Sequence, residues 1–249
     1  MVEVLELIKY CSYDPAVNVA LDEVLLESIR RGLRGDTIRI WFNPTSVVIG
    51  YSLNPCDEVY CGETLRLGIP IIRRISGGGA VYHDLGNINI SIIRRSSGMK
   101  KIEVIYSEAT SLIISALSRL GVKAWVENMS DVVVNGFKVS GSAAAIKSGG
   151  YIVHSTLLVS SNIDLLKRLI KPRLDRVARG EVTIAKYNPG NLRDLSRVTV
   201  RETLEALVST IESMYGPIVE SEIEYTELSE ALKLAEKRRV PIKALENFQ

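Results

Sequence analysis

The 249-residue sequence predicts an α/β (α+β) fold, in which a mixed, largely antiparallel β-sheet is flanked by helices. Short apolar runs recur along the chain, and some are joined by the glycine-containing turns that are typical of antiparallel hairpins. Longer segments between them carry apolar residues at the 3.6-residue period of an amphipathic helix. Because no internal repeat or linker interrupts this alternation, we expect a single domain over residues 1–249.

The first half of the chain alternates between strands and helices up to a glycine-rich loop. Asp14 followed by Pro15 is a typical helix start, since aspartate caps the first turn and proline fits the first helical position. The predicted elements are a strand over 2–9, a helix over 14–32, strands over 37–42 and 47–51, a helix over 57–67, a strand over 69–75 that enters the loop, and a strand over 88–94.

The second half contains a helix and two hairpins. Apolar periodicity predicts a helix over 101–120, which Gly121 ends, and a strand over 122–127 follows. Asn135-Gly136 supplies the two positive φ angles of a type I′ turn, so residues 131–134 and 137–141 are expected to pair. A second hairpin through residues 148–150 leads into a strand over 151–159.

The C-terminal third is predicted to contain three helices, a long polar segment and an edge strand. Asn162 caps a helix to about residue 170, and Thr199 with Glu202 forms a capping box that opens a helix to Tyr215. Residues 173–195 are polar and aperiodic, which is typical of a functional or disordered loop. An edge strand over 217–224 and a final helix over 227–238 complete the prediction.

Composition limits the possible partners of the protein. The net charge of +2 gives no electrostatic reason to expect nucleic acid as a partner. No apolar run approaches the roughly 20 residues of a membrane span. Glu3 and Glu6 interrupt the N-terminal segment, so it does not read as a secretory signal, and we expect a cytoplasmic protein.

The three cysteines and two tryptophans are expected to be structural or incidental. Cys11, Cys56 and Cys61 are too few and too clustered for a disulfide framework. The spacing of Cys56 and Cys61 suits a metal, but no histidine lies near them in sequence, so free thiols are favoured. Trp41 and Trp125 are expected in the core.

Residues 73–87 carry the densest functional signal, and they read Arg-Arg-Ile-Ser-Gly-Gly-Gly-Ala-Val-Tyr-His-Asp-Leu-Gly-Asn. Arginine side chains, exposed backbone N–H groups and a polar cluster together suit a binding site for a phosphate and an extended ligand. The dinucleotide fingerprint and the P-loop do not fit, because the later glycine and the Gly-Lys-Ser/Thr are missing. The alternative is a plain glycine-rich turn between strands.

This stretch resembles the lipoate-binding loop of the lipoate–protein ligase family. Residues 135–143, Asn-Gly-Phe-Lys-Val-Ser-Gly-Ser-Ala, are similar to the family's strand that holds its essential lysine. Residues 153–158, Val-His-Ser-Thr-Leu-Leu, are similar to a third family block but differ from it at Val153 and Ser155. With the Asn-Val-Ala-Leu-Asp-Glu segment of residues 18–23, the resemblance covers about residues 10–215.

The resemblance implies the fold of the biotin/lipoate ligase catalytic domain and assigns site residues. It implies a core over about 1–215 with a short extension over 216–249, similar to family members that lack a C-terminal accessory domain. It makes Lys138 the catalytic residue and residues 173–195 the adenylate-binding loop. The implied ATP or AMP contacts are Arg74, Gly79, Ala80, Val81, Tyr82, Asp84, Asn87 and Lys138. The implied lipoate contacts are Ser76, Gly77, Gly78, Gly79, His83, Lys138, Ser140, Gly141, His154 and Thr156.

Without the family resemblance, several of these side chains could equally have a purely structural role. Lys138 on a short strand is otherwise a solvated edge charge, and Arg73 is either a site residue or a surface cation. His83 and Asp84 form either part of the site or a polar pair that stabilises the turn. Asp131 is either a magnesium ligand or the cap of the hairpin.

The implied activity is ATP-dependent ligation of lipoate. The enzyme would convert (R)-lipoate and ATP, with Mg²⁺, to lipoyl-AMP and then acylate a lysine. The expected partners are the lipoyl-acceptor domains of 2-oxoacid dehydrogenase complexes or the glycine cleavage H protein, and a separate accessory-domain protein. The alternative is an octanoyl or lipoyl acyltransferase that works through a cysteine thioester. All three cysteines precede the glycine-rich stretch, which favours the ligase.

Overall fold

Two β-sheets and the helices around them make up the computed structural model, which describes residues 4–98 and 100–246. The larger sheet has eight strands in the order β11-β1-β2-β6-β10-β9-β8-β7 within these residues, and the smaller has three in the order β4-β3-β5. The strands are β1 Leu5–Ile8, β2 Thr37–Trp41, β3 Ser46–Ile49, β4 Ile71–Arg73, β5 Val81–His83, β6 Asn87–Arg95, β7 Trp125–Glu127, β8 Asp131–Val134, β9 Phe137–Lys147, β10 Gly150–Leu158 and β11 Ile218–Ser221.

The longest helices lie against the large sheet, whereas several short ones pack around the small sheet. They are α1 Pro15–Arg30, α2 Pro55–Glu58, α3 Cys61–Arg66, α4 Ile102–Arg119, α5 Ile163–Leu169, α6 Leu174–Ala178, a 3₁₀ turn Ile184–Tyr187, α7 Leu192–Ser196, α8 Val200–Tyr215, α9 Tyr225–Arg238 and α10 Lys243–Glu246. Over residues 4–98 and 100–246, no helix is long and apolar enough to cross a membrane.

The large sheet is mixed and mainly antiparallel, which confirms the predicted fold class. β1 runs parallel to both β2 and β11, whereas β2, β6, β10, β9, β8 and β7 pair antiparallel. The hairpin between β8 and β9 turns on Asn135 and Gly136, whose φ angles are 51° and 80°. Both angles are positive, as the type I′ turn requires, so the predicted hairpin is confirmed.

The two faces of the large sheet bury different helices because side chains alternate along a strand. Ile90 and Ile92 of β6 belong to a core cluster with α4 and α8, whereas Ile93 packs in a second cluster with α1. The capping box at the start of α8 is present, with Thr199 and Glu202 bonded reciprocally. The prediction of a sheet flanked by helices is thereby confirmed.

The C-terminal segment packs against the rest of the molecule. β11 forms the edge of the large sheet beside β1, and α9 packs on α1 through the buried Ala231 and Ala235. Arg34 lies buried between Glu6 and Glu227, with its guanidinium 2.7 Å from the Glu227 carboxylate. The predicted edge strand and final helix are confirmed, and the assignment of the whole chain to one domain stays a prediction.

Three predicted elements differ in the structure. The helix expected over 57–67 is divided into α2 and α3, because Val59 has the extended backbone angles φ −118° and ψ 138°. The glycine-rich loop leads into the short strand β5 before β6 begins, because residues 81–83 pair with β3. Residues 173–195 form α6, the 3₁₀ turn and the start of α7 instead of a structureless loop.

Cys56 and Cys61 form a disulfide, so the prediction of free thiols was wrong for this pair. The break between α2 and α3 turns the chain back and brings the two Cα atoms to 5.5 Å, within the range that a disulfide spans. This proximity depends on the break in the helix, which periodicity had not predicted. Cys11 is a free, exposed thiol.

Of the two tryptophan predictions, one is confirmed and the other is wrong. Trp41 is buried, as predicted, and its ring lies under the Arg39 guanidinium at 4.5 Å. Trp125 was expected in the core but is 42% exposed, because β7 is one of the two edge strands of the large sheet and pairs with a single neighbour.

Ala231→Asp should destabilise the protein strongly, because it places a carboxylate without a partner between α9 and α1. The expected loss is about 3 to 5 kcal/mol of unfolding free energy, the scale of an uncompensated buried charge. Urea denaturation measures it. The matched control is Leu232→Asp on the next residue of α9, which is 53% exposed and should change stability by about 0.5 kcal/mol or less. Equal effects of the two substitutions would contradict the packing of α9 on α1.

Candidate active site

A cavity of about 480 Å³ lies between the glycine-rich loop of the small sheet and strands β9 and β10 of the large one. It gathers residues from distant parts of the chain that the sequence analysis had singled out. Those that line it are Arg74, Gly78, Gly79, Ala80, Val81, Tyr82, His83, Asp131, Lys138, Ser140, Gly141, His154 and Thr156. The other four predicted residues, Ser76, Gly77, Asp84 and Asn87, are not part of its lining.

Lys138 enters the cavity from β9 and is held by Asp131 of the neighbouring strand. Its Nζ lies 2.7 Å from Asp131 Oδ1, and the ammonium of Lys186 lies 3.3 Å from Oδ2 of the same carboxylate. Because side chains alternate along β9, Lys138 and Ser140 both face the cavity, whereas Val139 between them is buried in the core. Lys138 is therefore a fixed charge inside the site and not a solvated edge cation.

Asp131 is ionised because two ammonium groups surround it. Burial alone raises the pKa of this carboxyl, but the charges of Lys138 and Lys186 outweigh burial, so its pKa lies below the ordinary value. Burial and the nearby Lys138 charge lower the pKa of Lys186, against the opposing effect of Asp131. The three side chains form a triad with a net charge of about +1 in the cavity wall.

Gly141 leaves the space in which the Lys138 ammonium lies. A Cβ atom at position 141 would be 2.6 Å from Lys138 Nζ and 2.7 Å from its Cε. No side chain can therefore replace Gly141 without displacing the end of Lys138. This explains physically why a glycine follows the lysine by three residues.

Arg74 shapes the glycine-rich loop from within. Its guanidinium donates to the carbonyl oxygens of Gly77 at 2.6 Å and Gly79 at 2.9 Å, and to Ser76 Oγ at 2.9 Å. Burial lowers the pKa of Arg74 to about 10, so it remains charged at neutral pH. Gly78 has a φ of +89°, and a Cβ there would be 2.9 Å from Arg74 Nη2.

Arg73 is partly exposed and does not line the cavity, but it has a structural role. Its Nη1 donates to the carbonyl oxygens of residues 50, 51 and 53 at distances of 2.8 to 2.9 Å. It thereby fixes the turn after β3 against β4, beside the glycine-rich loop.

A chain of three hydrogen-bonded side chains ties the loop to the large sheet. Ser76 Oγ lies 2.6 Å from His154 Nε2, and His154 Nδ1 lies 3.3 Å from Asp22 Oδ2. The order Ser–His–Asp is that of a hydrolase, but Ser76 is 1% exposed, lies outside the cavity lining and accepts a hydrogen bond from Arg74. The chain therefore supports the loop and supplies no nucleophile.

The two departures from the family pattern on β10 have structural partners. Val153 is fully buried in the core cluster of α4 and α8, on the face of the strand away from the cavity. Ser155 Oγ lies 2.7 Å from Ser142 Oγ and links β10 to β9. Neither residue displaces His154 or Thr156 from the cavity.

His83 and Asp84 do not pair with each other. His83 Nδ1 lies 3.2 Å from Asn43 Nδ2, and burial together with the Arg74 charge lowers the pKa of His83 to about 3, so it is neutral. The Asp84 carboxylate accepts the backbone N–H groups of residues 86 and 162. Asn87 donates to Asn89 at 3.0 Å. Asp84 and Asn87 thus stabilise the turns behind the cavity.

Segment 173–190 closes one side of the cavity, and most of its side chains there were not predicted individually. Lys138 N–H donates to the Asn188 carbonyl at 2.8 Å, and Gly190 N–H donates to the Lys138 carbonyl at 3.0 Å. The main charged or aromatic lining residues that were not predicted individually are Asp22, Trp41, Glu58, Tyr106, Lys167, Lys171, Arg176, Lys186 and Tyr187. Lys186 was indicated only indirectly, because the family resemblance makes residues 173–195 the adenylate-binding loop.

Comparison with known proteins agrees with this geometry. A family model described as the lipoyl protein ligase A/B catalytic domain matches residues 14–212. A putative lipoate-protein ligase A of Aeropyrum pernix is 41% identical over 214 residues, which cover 84% of this chain and 79% of the relative. Lipoate-protein ligase LplJ of Bacillus subtilis is 34% identical over 181 residues. The aligned residues cover 73% of this chain and 54% of that relative.

Solved structures give the same result. A bi-partite lipoate protein ligase from Thermoplasma acidophilum, studied with its E2 lipoyl domain, has a TM-score of 0.80 at 27% identity and covers 95% of this chain and 93% of its own. A lipoate-protein ligase A bound with ATP has a TM-score of 0.81 at 27% identity, covering 95% of both chains. A protein of T. acidophilum with bound lipoic acid has a TM-score of 0.80 at 26% identity, covering 95% and 96%.

Fold and cavity together define the catalytic domain of an acyl-activating enzyme with a lysine in the site. The chain belongs to the lipoyl protein ligase A/B catalytic domain family.

Asp131→Asn should lower the unfolding free energy by about 1 to 3 kcal/mol at neutral pH, because Lys138 and Lys186 lose the charge between them. The folded-state pKa of Asp131 is lowered, so this stabilisation is complete above the unfolded pKa near about 4. It should disappear as the pH falls through the folded-state value, where Asp131 itself becomes neutral. Urea denaturation of both proteins over a pH series measures the difference. Glu230→Gln on the exposed side of α9 is the control, and a difference that does not change with pH would contradict this assignment.

Proposed function

We propose that this chain is a lipoate–protein ligase. It activates lipoate with ATP to lipoyl-AMP and pyrophosphate, and it then transfers the lipoyl group to a lysine of a lipoyl-acceptor domain. The observation that carries the proposal is the placement of the Lys138 ammonium, which Asp131 fixes inside a cavity that the glycine-rich loop also lines.

The chemistry of both half-reactions needs a fixed positive charge at this position. When the lipoate carboxylate attacks the α-phosphorus, negative charge grows on phosphate oxygens, and it grows on the acyl oxygen when the acceptor amine attacks. One ammonium beside the mixed anhydride serves both steps, since a charge at about 4 Å contributes roughly 4 kcal/mol at an effective dielectric of 20. Asp131 and Gly141 hold Lys138 in one orientation before the substrate arrives.

Two buried polar atoms in the cavity wall lack partners and suit an extended polar ligand. Ser140 Oγ and Asn89 Nδ2 form no hydrogen bond in the described part of the chain. Because a buried polar group without a partner costs about 1 to 3 kcal/mol, a ligand that bonds them recovers that energy on binding. Residues 79–82, the proposed nucleotide contacts, line the same space.

The positions of the cysteines favour the ligase over the thioester-dependent acyltransferase. None of Cys11, Cys56 and Cys61 lines the cavity, and Cys56 and Cys61 are bonded to each other. An acyl-enzyme intermediate needs a thiolate beside the acyl carbon. This favours activation of the acyl group by a nucleotide.

Magnesium is proposed to accompany ATP and not to occupy a site built by the protein. Over residues 4–98 and 100–246, no group of three or more His, Cys, Asp or Glu residues could hold a metal ion. Asp131 fits a metal ligand poorly, because both of its oxygens already face an ammonium group. Magnesium in such enzymes is often bound through substrate phosphates, so no step here is assigned to the protein's own metal site.

The proposed acceptors are the lipoyl domains of 2-oxoacid dehydrogenase complexes, since one structural relative was studied with its E2 lipoyl domain. The glycine cleavage H protein is a second proposed acceptor. The same relative is described as bi-partite, which supports a separate accessory protein as a further proposed partner.

The direct test is incubation of the purified chain with ATP, Mg²⁺, lipoate and a lipoyl domain, followed by the intact mass of that domain. We expect the mass of one lipoyl group to be added, with release of pyrophosphate, only when ATP is present. A parallel assay with synthetic lipoyl-AMP separates the second half-reaction from a need for an accessory protein. Acylation from a carrier thioester without ATP would establish the acyltransferase instead.

Lys138→Ala should reduce the rate by at least about 10² to 10³, the scale for removal of one preorganised donor, and leave the fold intact. Gly141→Ala should have a similar effect without touching Lys138 chemically, because its methyl group takes the place of the ammonium. Single-turnover formation of lipoyl-AMP and the melting temperature are the two measurements. Gly98→Ala, with nothing within 4 Å of the new Cβ, is the control. Normal turnover by Gly141→Ala would show that the observed position of Lys138 is not required.

A further inference from the structure

Glu58 contacts the glycine-rich loop although neither composition nor the family resemblance singled it out. Its Oε2 accepts the backbone N–H of Ala80 at 2.8 Å, and its side chain is only 14% exposed and lines the cavity. A Cβ atom on Gly79 would overlap the same carboxylate oxygen. Two successive residues of the loop are therefore adapted to this one carboxylate.

The charge of Glu58 suits its surroundings. The buried Arg74 guanidinium lies within the loop, and Glu58 supplies the largest of the charges that act against the burial of Arg74. Arg173 Nη1 lies 3.8 Å from Glu58 Oε1 on the other side. Glu58 therefore bonds the backbone of the loop and also balances part of the charge that shapes it.

The segment that carries Glu58 is held in place from two directions. Helix α2 has four residues, too few to be stable alone. Lys171 binds it twice, through its backbone N–H to the Glu58 carbonyl at 2.8 Å and through Nζ to the Cys56 carbonyl at 2.7 Å. The Cys56–Cys61 disulfide closes the five-residue separation around Glu58 covalently.

We propose that Glu58 is a positioning residue for the glycine-rich loop, and that the Cys56–Cys61 disulfide keeps it in position, so the oxidation state of this pair controls the affinity of the cavity for ATP. The identity of the ligand rests on the proposed function. The position of Glu58 itself does not.

The redox step is an ordinary dithiol exchange. A dithiol reductant transfers two electrons and two protons, each sulfur of the pair becomes a thiol, and the reductant becomes a disulfide. The turn between α2 and α3 then loses its covalent closure, and only the hydrogen bonds of Lys171 and the packing of the buried Val59 remain to hold it. Movement of Glu58 removes the acceptor from the Ala80 N–H and a counter-charge from Arg74.

The first experiment measures hydrogen exchange of the ligand-free protein, so its result does not depend on the reaction. Exchange at the Ala80 amide should become at least about tenfold faster after reduction and in the Cys56→Ala/Cys61→Ala variant, the change expected for loss of a charge-assisted hydrogen bond. The Cys11→Ala variant controls for the free thiol. Unchanged exchange at Ala80 in a protein shown by mass to be fully reduced would overturn the proposal.

The second experiment measures adenylation by the oxidised protein and by variants of Glu58. Glu58→Ala should raise KM for ATP about tenfold with a smaller change in kcat. Glu58→Gln keeps an oxygen for the Ala80 N–H but loses the charge, so it should fall between wild type and Glu58→Ala. The control is Glu63→Ala on α3, whose carboxylate faces Arg66 and Arg168 instead of the loop.

The two experiments separate the possible failures. Tighter ATP binding by Glu58→Gln would overturn the positioning role, because it would show that the carboxylate competes with the ligand. A chain that forms no adenylate in any state removes the proposed function, and the exchange measurement at Ala80 then decides the role of Glu58 by itself.

Discussion

The buried ion pair between Asp22 and Arg39 is the interaction on which the site depends. The two side chains are 3% and 0% exposed and lie 2.9 Å apart, one on α1 and the other on β2. Asp22 also bonds Ser91 of β6 and His154 of β10, so one carboxylate joins a helix, three strands of the large sheet and, through Ser76, the glycine-rich loop. A carboxylate without Arg39 in this place would be an uncompensated charge, which costs several kcal/mol. The position of the loop relative to β9 and β10 therefore follows from the packing of α1 on the sheet.

The local features of the fold could be predicted from the sequence because short segments determine them. Asn135-Gly136 specifies its turn through backbone angles that few other residue pairs accept, and Thr199 with Glu202 specifies a helix start through two hydrogen bonds between near neighbours. The glycine-rich stretch was likewise visible as a ligand loop, and thirteen of the seventeen predicted site residues do line the cavity. Their individual roles in binding remain predictions.

The parts that could not be predicted depend on contacts between residues far apart in the chain. Lys186 shares Asp131 with Lys138 only because residues 188–190 bond to the backbone of β9. Glu58 reaches Ala80 only because the helix around it is broken, and the same break allows the disulfide that composition had argued against. Trp125 is exposed because β7 is an edge strand, and strand order is a property of the whole sheet. Periodicity within one segment carries no information about such contacts.

The parallel pairing of β11 with β1 affects the way in which the protein can fold. Leu5 lies opposite Ile218 in the register, so two strands separated by more than two hundred residues must meet to complete this edge of the sheet. Closing such a distance costs chain entropy before any contact repays it, so this pairing is expected late in folding. During synthesis β1 and β2 emerge from the ribosome long before β11, and the backbone groups on the free side of β1 stay open to other chains in the meantime. The nascent protein therefore remains open to aggregation at β1 until the four residues of β11 have been synthesised and have paired with it.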